Sequence, residues 1–106
     1  MAKLNFKKLE GKWVDYLGMR LLVRPFPASE YPFTVNTAEM KSGDYFWVIT
    51  KACLIGWEQV DDEEGNPIKF SEKHKKMLYD YVEGLGYFIN SESEKMLQEF
   101  NADLKN

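Results

Sequence analysis

The sequence predicts an α+β fold: a small N-terminal antiparallel sheet, built on a hairpin, packed against C-terminal helices. Three observations lead there. Two short runs rich in aromatic and aliphatic residues flank a glycine near the start. Two apolar stripes at helical spacing fill the last third. Strand-like segments come first and helix-like segments last, with no internal repeat and no low-complexity tract. A chain of 106 residues is one domain, residues 1–106, with room for a single modest core. An aromatic fraction of 15% supplies the large apolar area per residue that a small core needs.

The hairpin comes first. Trp13-Val14-Asp15-Tyr16-Leu17 and Met19-Arg20-Leu21-Leu22-Val23-Arg24 are its arms, and Gly18 supplies the tight turn. Alternation puts Met19, Leu21 and Val23 on one face and Arg20, Leu22 and Arg24 on the other, where two charges call for solvent or a charged partner. Pro25, Pro27 and Pro32 then end regular structure. Their aromatic neighbours Phe26, Tyr31 and Phe33 are expected to fold back on the core, with a projecting docking loop as the alternative. Residues 34–44 are polar, and Ser42-Gly43-Asp44 reads as a turn.

From Tyr45 onward two patterns compete. Tyr45, Val48, Ile49, Ala52, Cys53 and Ile55 fit a helical face, whereas Phe46-Trp47-Val48-Ile49-Thr50 is β-rich. Gly56 disfavours a helix running on to Trp57, so a short helix or strand followed by an extended piece reaching Trp57 and Val60 is expected. Residues 57–71 then read as a strand end, an acidic turn, a short extended piece and a helix start. Gly65-Asn66-Pro67 gives the backbone freedom and then the rigidity that reversing the chain requires. Ser71 is the expected N-cap of a helix whose stripe is Met77, Leu78, Tyr81, Val82 and Leu85, stopped by Gly84 or Gly86. Tyr87-Phe88-Ile89 joins it to a second helix opening at Ser91, where Ser91-Glu92-Ser93-Glu94 has capping-box spacing. The stripe of that helix is Met96, Leu97, Phe100 and Leu104.

Composition bounds the function. The net charge of −3 argues against a general nucleic-acid binder. Its distribution is uneven: residues 1–56 carry eight Lys or Arg against five acids, and residues 57–106 carry six against twelve. Lys3, Lys7, Lys8, Lys12, Arg20 and Arg24, interleaved with Phe6, Trp13 and Tyr16, form a patch of nucleic-acid type, but solvated surface is the simpler account. The lone Cys53, inside an apolar run, is expected to be a buried, reduced thiol, which fits a cytosolic setting. The N-terminus lacks the apolar region of a secretion signal. The longest apolar-rich run, Tyr45 to Trp57, is too short for a bilayer and is broken by Thr50 and Lys51, so a soluble protein is expected.

Catalytic and metal chemistry have little to stand on. His74 is the single histidine, between Lys73 and Lys75, with no partner for acid–base or metal work. No Gly-rich phosphate loop or nucleophile elbow is present. Asp61-Asp62-Glu63-Glu64 invites calcium, but a hand-type loop needs alternating ligands and a later glycine, and Gly65 comes one place early. A non-enzymatic protein without cofactor or metal is expected.

Gly56-Trp57-Glu58-Gln59-Val60-Asp61, then Glu64-Gly65-Asn66-Pro67-Ile68, then Phe70-Ser71 and a helix with Met77-Leu78 together resemble the tail assembly chaperones of tailed bacteriophages. That family carries Trp, Glu or Lys, Gly, Val, an acidic turn, Gly-x-Pro-Ile and Tyr or Phe-Ser ahead of a leucine-bearing helix. The likeness covers residues 52–85; Gln59 stands where a Gly is common and Lys69 where a Pro is common.

The resemblance implies a non-catalytic protein of the bacterial host cytoplasm that binds the tape-measure or tail-tube protein, shields apolar helical segments and can form a homo-oligomer. It implies structural roles for Trp57, Val60, Gly65, Pro67, Ile68 and Phe70. For partner contact it directs attention to the helix faces of Met77, Tyr81, Met96, Leu97 and Phe100, whose methionines suit adjustable packing. Two other classes stay open. One is a small acidic inhibitor of a host defence protein, mimicking phosphates. The other is a structural tail or head-tail connector subunit of the virion.

Overall fold

A computed structural model describes residues 4–30 and 42–104. Tyr31, Pro32, Phe33 and the polar residues up to 41 lie outside the described residues. The architecture is α+β: one three-stranded antiparallel sheet packed against helices. A 3-10 turn, Phe6–Leu9, precedes strands β1 (Lys12–Tyr16) and β2 (Met19–Val23). A second 3-10 turn, Ala28–Glu30, follows, then helix α1 (Ser42–Cys53), strand β3 (Leu54–Glu58), helix α2 (Glu72–Tyr81) and helix α3 (Leu85–Leu104).

The hairpin forms as its turn chemistry dictates. Leu17 and Gly18 both have positive φ, 51° and 84°, the pairing that matches a two-residue loop to the twist of the strands. Tyr16 then faces Met19 and Lys12 faces Val23. The strand order is β1-β2-β3, and β3 meets β2 with Arg20 against Glu58 and Val23 against Leu54. On the inner face Leu21 and Val23 are fully buried. On the outer face the charged partner expected for Arg20 is internal: Nη1 lies 2.6 Å from Glu58 Oε1, and the guanidinium sits 5.1 Å from the centre of the Trp13 ring. Arg24 turns inward, and its Nε donates to the Ala52 carbonyl at 2.7 Å.

The core joins Leu21, Val23 and Phe26 to Ile49, Cys53 and Leu54 and to Leu85, Ile89 and Met96. Phe26, 2% exposed, does fold back on the core. Cys53 is buried in the core as a thiol, with its Sγ 3.4 Å from Ser93 Oγ. The competition in the 45–58 region resolves as helix to Cys53 and strand from Leu54. The exposed carbonyls at the end of α1 are met by cations. Arg24 takes Ala52, and Lys75 Nζ donates to Lys51 O at 2.9 Å, where positive charge also complements the helix dipole.

Three expectations are corrected. Ser42-Gly43-Asp44 is not a turn but the start of α1; short polar residues suit a first helical turn as well as a loop. The stripe expected for α2 holds only in part. Leu78 and Val82 do pack against the core and Leu85 is buried, but Met77 and Tyr81 are 49% and 84% exposed, and Lys75 faces inward in their place. Lys75 takes an interior position because its stem packs as hydrocarbon while its ammonium finds Lys51 O, Glu72 at 3.2 Å and the Phe70 ring. Finally, no helix opens at Ser91. Helix α3 begins at Leu85, and Tyr87, Phe88 and Ile89 are already helical because Leu85, Gly86 and Ile89 are buried there. Ser93 serves the tertiary structure: its Oγ accepts the Phe26 N–H at 2.8 Å.

Candidate functional site

The 57–71 connection is held by its own polar groups. Gln59 adopts a positive φ of 60° and Gly65 one of 85°, left-handed backbone before and within the reversal. The reversal is closed by an antiparallel bridge between Asp61 and Pro67 and by the Ile68 N–H donating to Val60 O at 2.7 Å. Asp62 Oδ1 accepts from the Glu64 and Asn66 N–H groups, each at 2.9 Å, which shapes the acidic turn. Trp57 Nε1 donates to Ile68 O at 2.8 Å, and its ring stands edge-on to Phe70 at 4.8 Å. Val60 is buried beneath. The structure thus brings together Trp57, Val60, Gly65, Pro67, Ile68 and Phe70.

Ser71 caps α2 as its position before Glu72 predicts: its Oγ accepts from the His74 N–H at 3.1 Å. The His74 Nδ1 lies 2.7 Å from Lys69 O, and since a carbonyl only accepts, Nδ1 carries the proton. His74 is thereby tied to the connection. Among the described residues no group of three or more His, Cys, Asp or Glu is gathered as a metal site, and no helix is long and apolar enough to cross a membrane.

One concave feature able to receive another molecule lies along α3. A groove of about 390 Å³ runs between the Arg24–Ala28 segment and the α3 residues Leu97, Phe100 and Asn101, with Leu9 also in its lining. Its lining is mainly hydrocarbon: Pro25, Phe26, Pro27, Leu97 and Phe100. Both walls are fixed. The Phe26 N–H is anchored on Ser93, and Asn101 Nδ2 is tied to Leu97 O at 2.9 Å. The floor residue Phe26 belongs to the core, whereas Leu97 and Phe100 are half-buried.

A second cavity of about 330 Å³ lies nearby, with Lys7, Lys8 and Lys12 around Gly11, Met96 and Glu99. Lys8 Nζ is 2.6 Å from Asp103 Oδ2. That hydrogen bond holds the Lys8 ammonium above its ordinary range, and the charges of Asp103 and Glu99 add to it.

Of the five helix residues singled out for partner contact, Leu97 and Phe100 share the groove. Met96 is almost fully buried and reaches the second cavity instead. Met77 and Tyr81 are exposed on α2 and line neither. The proline wall was legible as a break in regular structure, but its closure on α3 was not, because it depends on Ser93, 67 residues away from Phe26. Comparison with protein-family models, curated proteins and solved structures finds no match.

Proposed function

We propose that this protein is a non-catalytic assembly chaperone of a tailed bacteriophage, acting in the host cytoplasm, that holds apolar segments of the tape-measure protein and aids tail-tube assembly. The observation that carries it is the groove of Pro25, Phe26, Pro27, Leu97 and Phe100. Shielding an apolar helix requires a hydrophobic cleft on a folded body, into which side chains at i, i+3 and i+4 can be laid. The fixed walls keep the ordering cost of binding low. The stapled connection from Trp57 to Phe70, which carries the likeness to that family, supports the same reading from a separate region.

The test is co-purification with a tape-measure protein expressed in the same cells. Leu97→Glu and Phe100→Glu put a charge in the groove at half-buried positions. Each is expected to abolish capture while the protein still melts cooperatively. Capture equal to that of the unmodified chain would refute the groove as the binding surface.

A further inference from the structure

A second surface concerns this chain's relation to itself. The two unequal halves of the charge distribution end in two built features. One is the cavity with Lys7, Lys8 and Lys12 at its mouth and Met96 at its floor. The other is the acidic turn at 61–64, all four of whose residues are exposed. Within one copy the two adjoin opposite ends of the sheet. Strands β1 and β3 are each antiparallel to β2 and so run in the same direction. Lys12 opens β1 at the end of the sheet where Val23 faces Leu54, whereas Glu58 closes β3 at the other end, level with Arg20 and Asp15. Glu58, from which the chain leaves for the turn, therefore stands about 10 Å along the strands from Lys12, at a rise of roughly 3.3 Å per residue. Among the described residues Lys7 and Lys12 have no ion-pair partner, and neither do Asp61, Glu63 and Glu64.

We propose that the protein associates head to tail, the acidic turn of one copy seating on the lysine-mouthed cavity of the next. Charge complementarity selects a second copy as the occupant. Asp103 already holds Lys8, and Glu99 opposes part of the positive charge, so Lys7 and Lys12 carry the net attraction. The turn is pre-shaped by the two N–H bonds to Asp62, so little order is lost when it docks. Contact between different patches on successive copies is heterologous, so it closes as a ring or grows as a filament. Such an array would present one groove per subunit in a regular row. The interface itself uses none of the groove residues.

Sedimentation velocity of the purified full chain, over a wide concentration range at low and high salt and with no other protein present, tests this. Association that weakens with salt is expected. Lys7→Glu/Lys12→Glu and Glu63→Lys/Glu64→Lys should each raise the dissociation constant by about tenfold or more, because like charges then face each other. Mixed one to one, the two variants should associate again, since each supplies the charge the other lacks. Zero-length carbodiimide coupling of the unmodified chain should join Lys7 or Lys12 of one molecule to Glu63 or Glu64 of another, read from mixed isotopic labels. A chain monomeric at every concentration, a variant associating like the unmodified chain, a mixture that stays apart or coupling confined to other residues would each overturn the proposal. With no tape-measure protein present, the outcome leaves the groove reading standing or falling on its own test.

Discussion

The 57–71 connection and the groove beside α3 are both rich in large apolar side chains, yet they treat their polar surroundings in opposite ways. In the connection, Trp57 bonds to Ile68 O, Ser71 to the His74 N–H and Asp62 to two N–H groups, so these polar side chains are committed to the chain's own backbone. In the groove, Leu97 and Phe100 make no such demand and stay half-exposed between fixed walls. An aromatic residue whose polar tip is satisfied internally is a fastener. An aromatic residue left half-covered beside proline is a surface that another molecule can complete.

The largest expected effect lies on the fastener side. Trp57→Ala removes the edge-on contact with Phe70 and orphans Ile68 O, and should cost about 3 kcal/mol. For a domain of this size that lowers the melting temperature by about 10 °C or more in a thermal circular-dichroism scan. An unchanged melting temperature, or an equal fall for Phe100→Glu, would erase the distinction between the two regions.

Ser71→Ala is smaller, about 1 kcal/mol, because it leaves the packing intact and frees one helix-start N–H. Amide exchange should quicken in the first turn of α2 and not in α3. Exchange quickening equally in both helices would mean that the cap serves more than its own helix.

The smallest effect belongs to Lys8, next in sequence to the groove residue Leu9, through its bond to Asp103. The folded-state pKa of Lys8 is raised above 10.5, so its contribution is complete below that value and is lost as pH rises through the folded-state pKa. On the alkaline side, the melting-temperature difference between the unmodified chain and Lys8→Met should therefore shrink at strongly alkaline pH, as Lys8 loses its proton. A difference that shrinks between neutral and mildly acidic pH would assign the contact to another group.

These regions also differ in how far they could be read in advance. The acidic turn, the Ser71 cap and the Gly18 hairpin rest on chemistry within a few residues, and each stands where the residue pattern places it. Helix α2 was legible as a helix with Leu78 and Val82 inward, but not in the full extent of its buried face. Met77 and Tyr81 outrank Lys75 in hydrophobicity, yet Lys75 is the buried one because the end of α1 offers its ammonium a carbonyl. Ser91 has the spacing of a helix start, but the spacing carries no information about Leu85 and Ile89, whose burial extends the helix back through it.

By itself the sequence determined the α+β class, the hairpin about Gly18, the capped start of α2 and the acidic reversal, since turn dihedrals, caps and strand alternation are settled by near neighbours. Only the tertiary structure decided the full extent of α2's buried face, where α3 begins and that the proline segment closes a groove with Leu97 and Phe100. Those outcomes depend on polar groups meeting across the fold: Phe26 with Ser93, and Lys75 with Lys51. A buried donor must find its acceptor wherever the packing offers one, and no local periodicity encodes that distance.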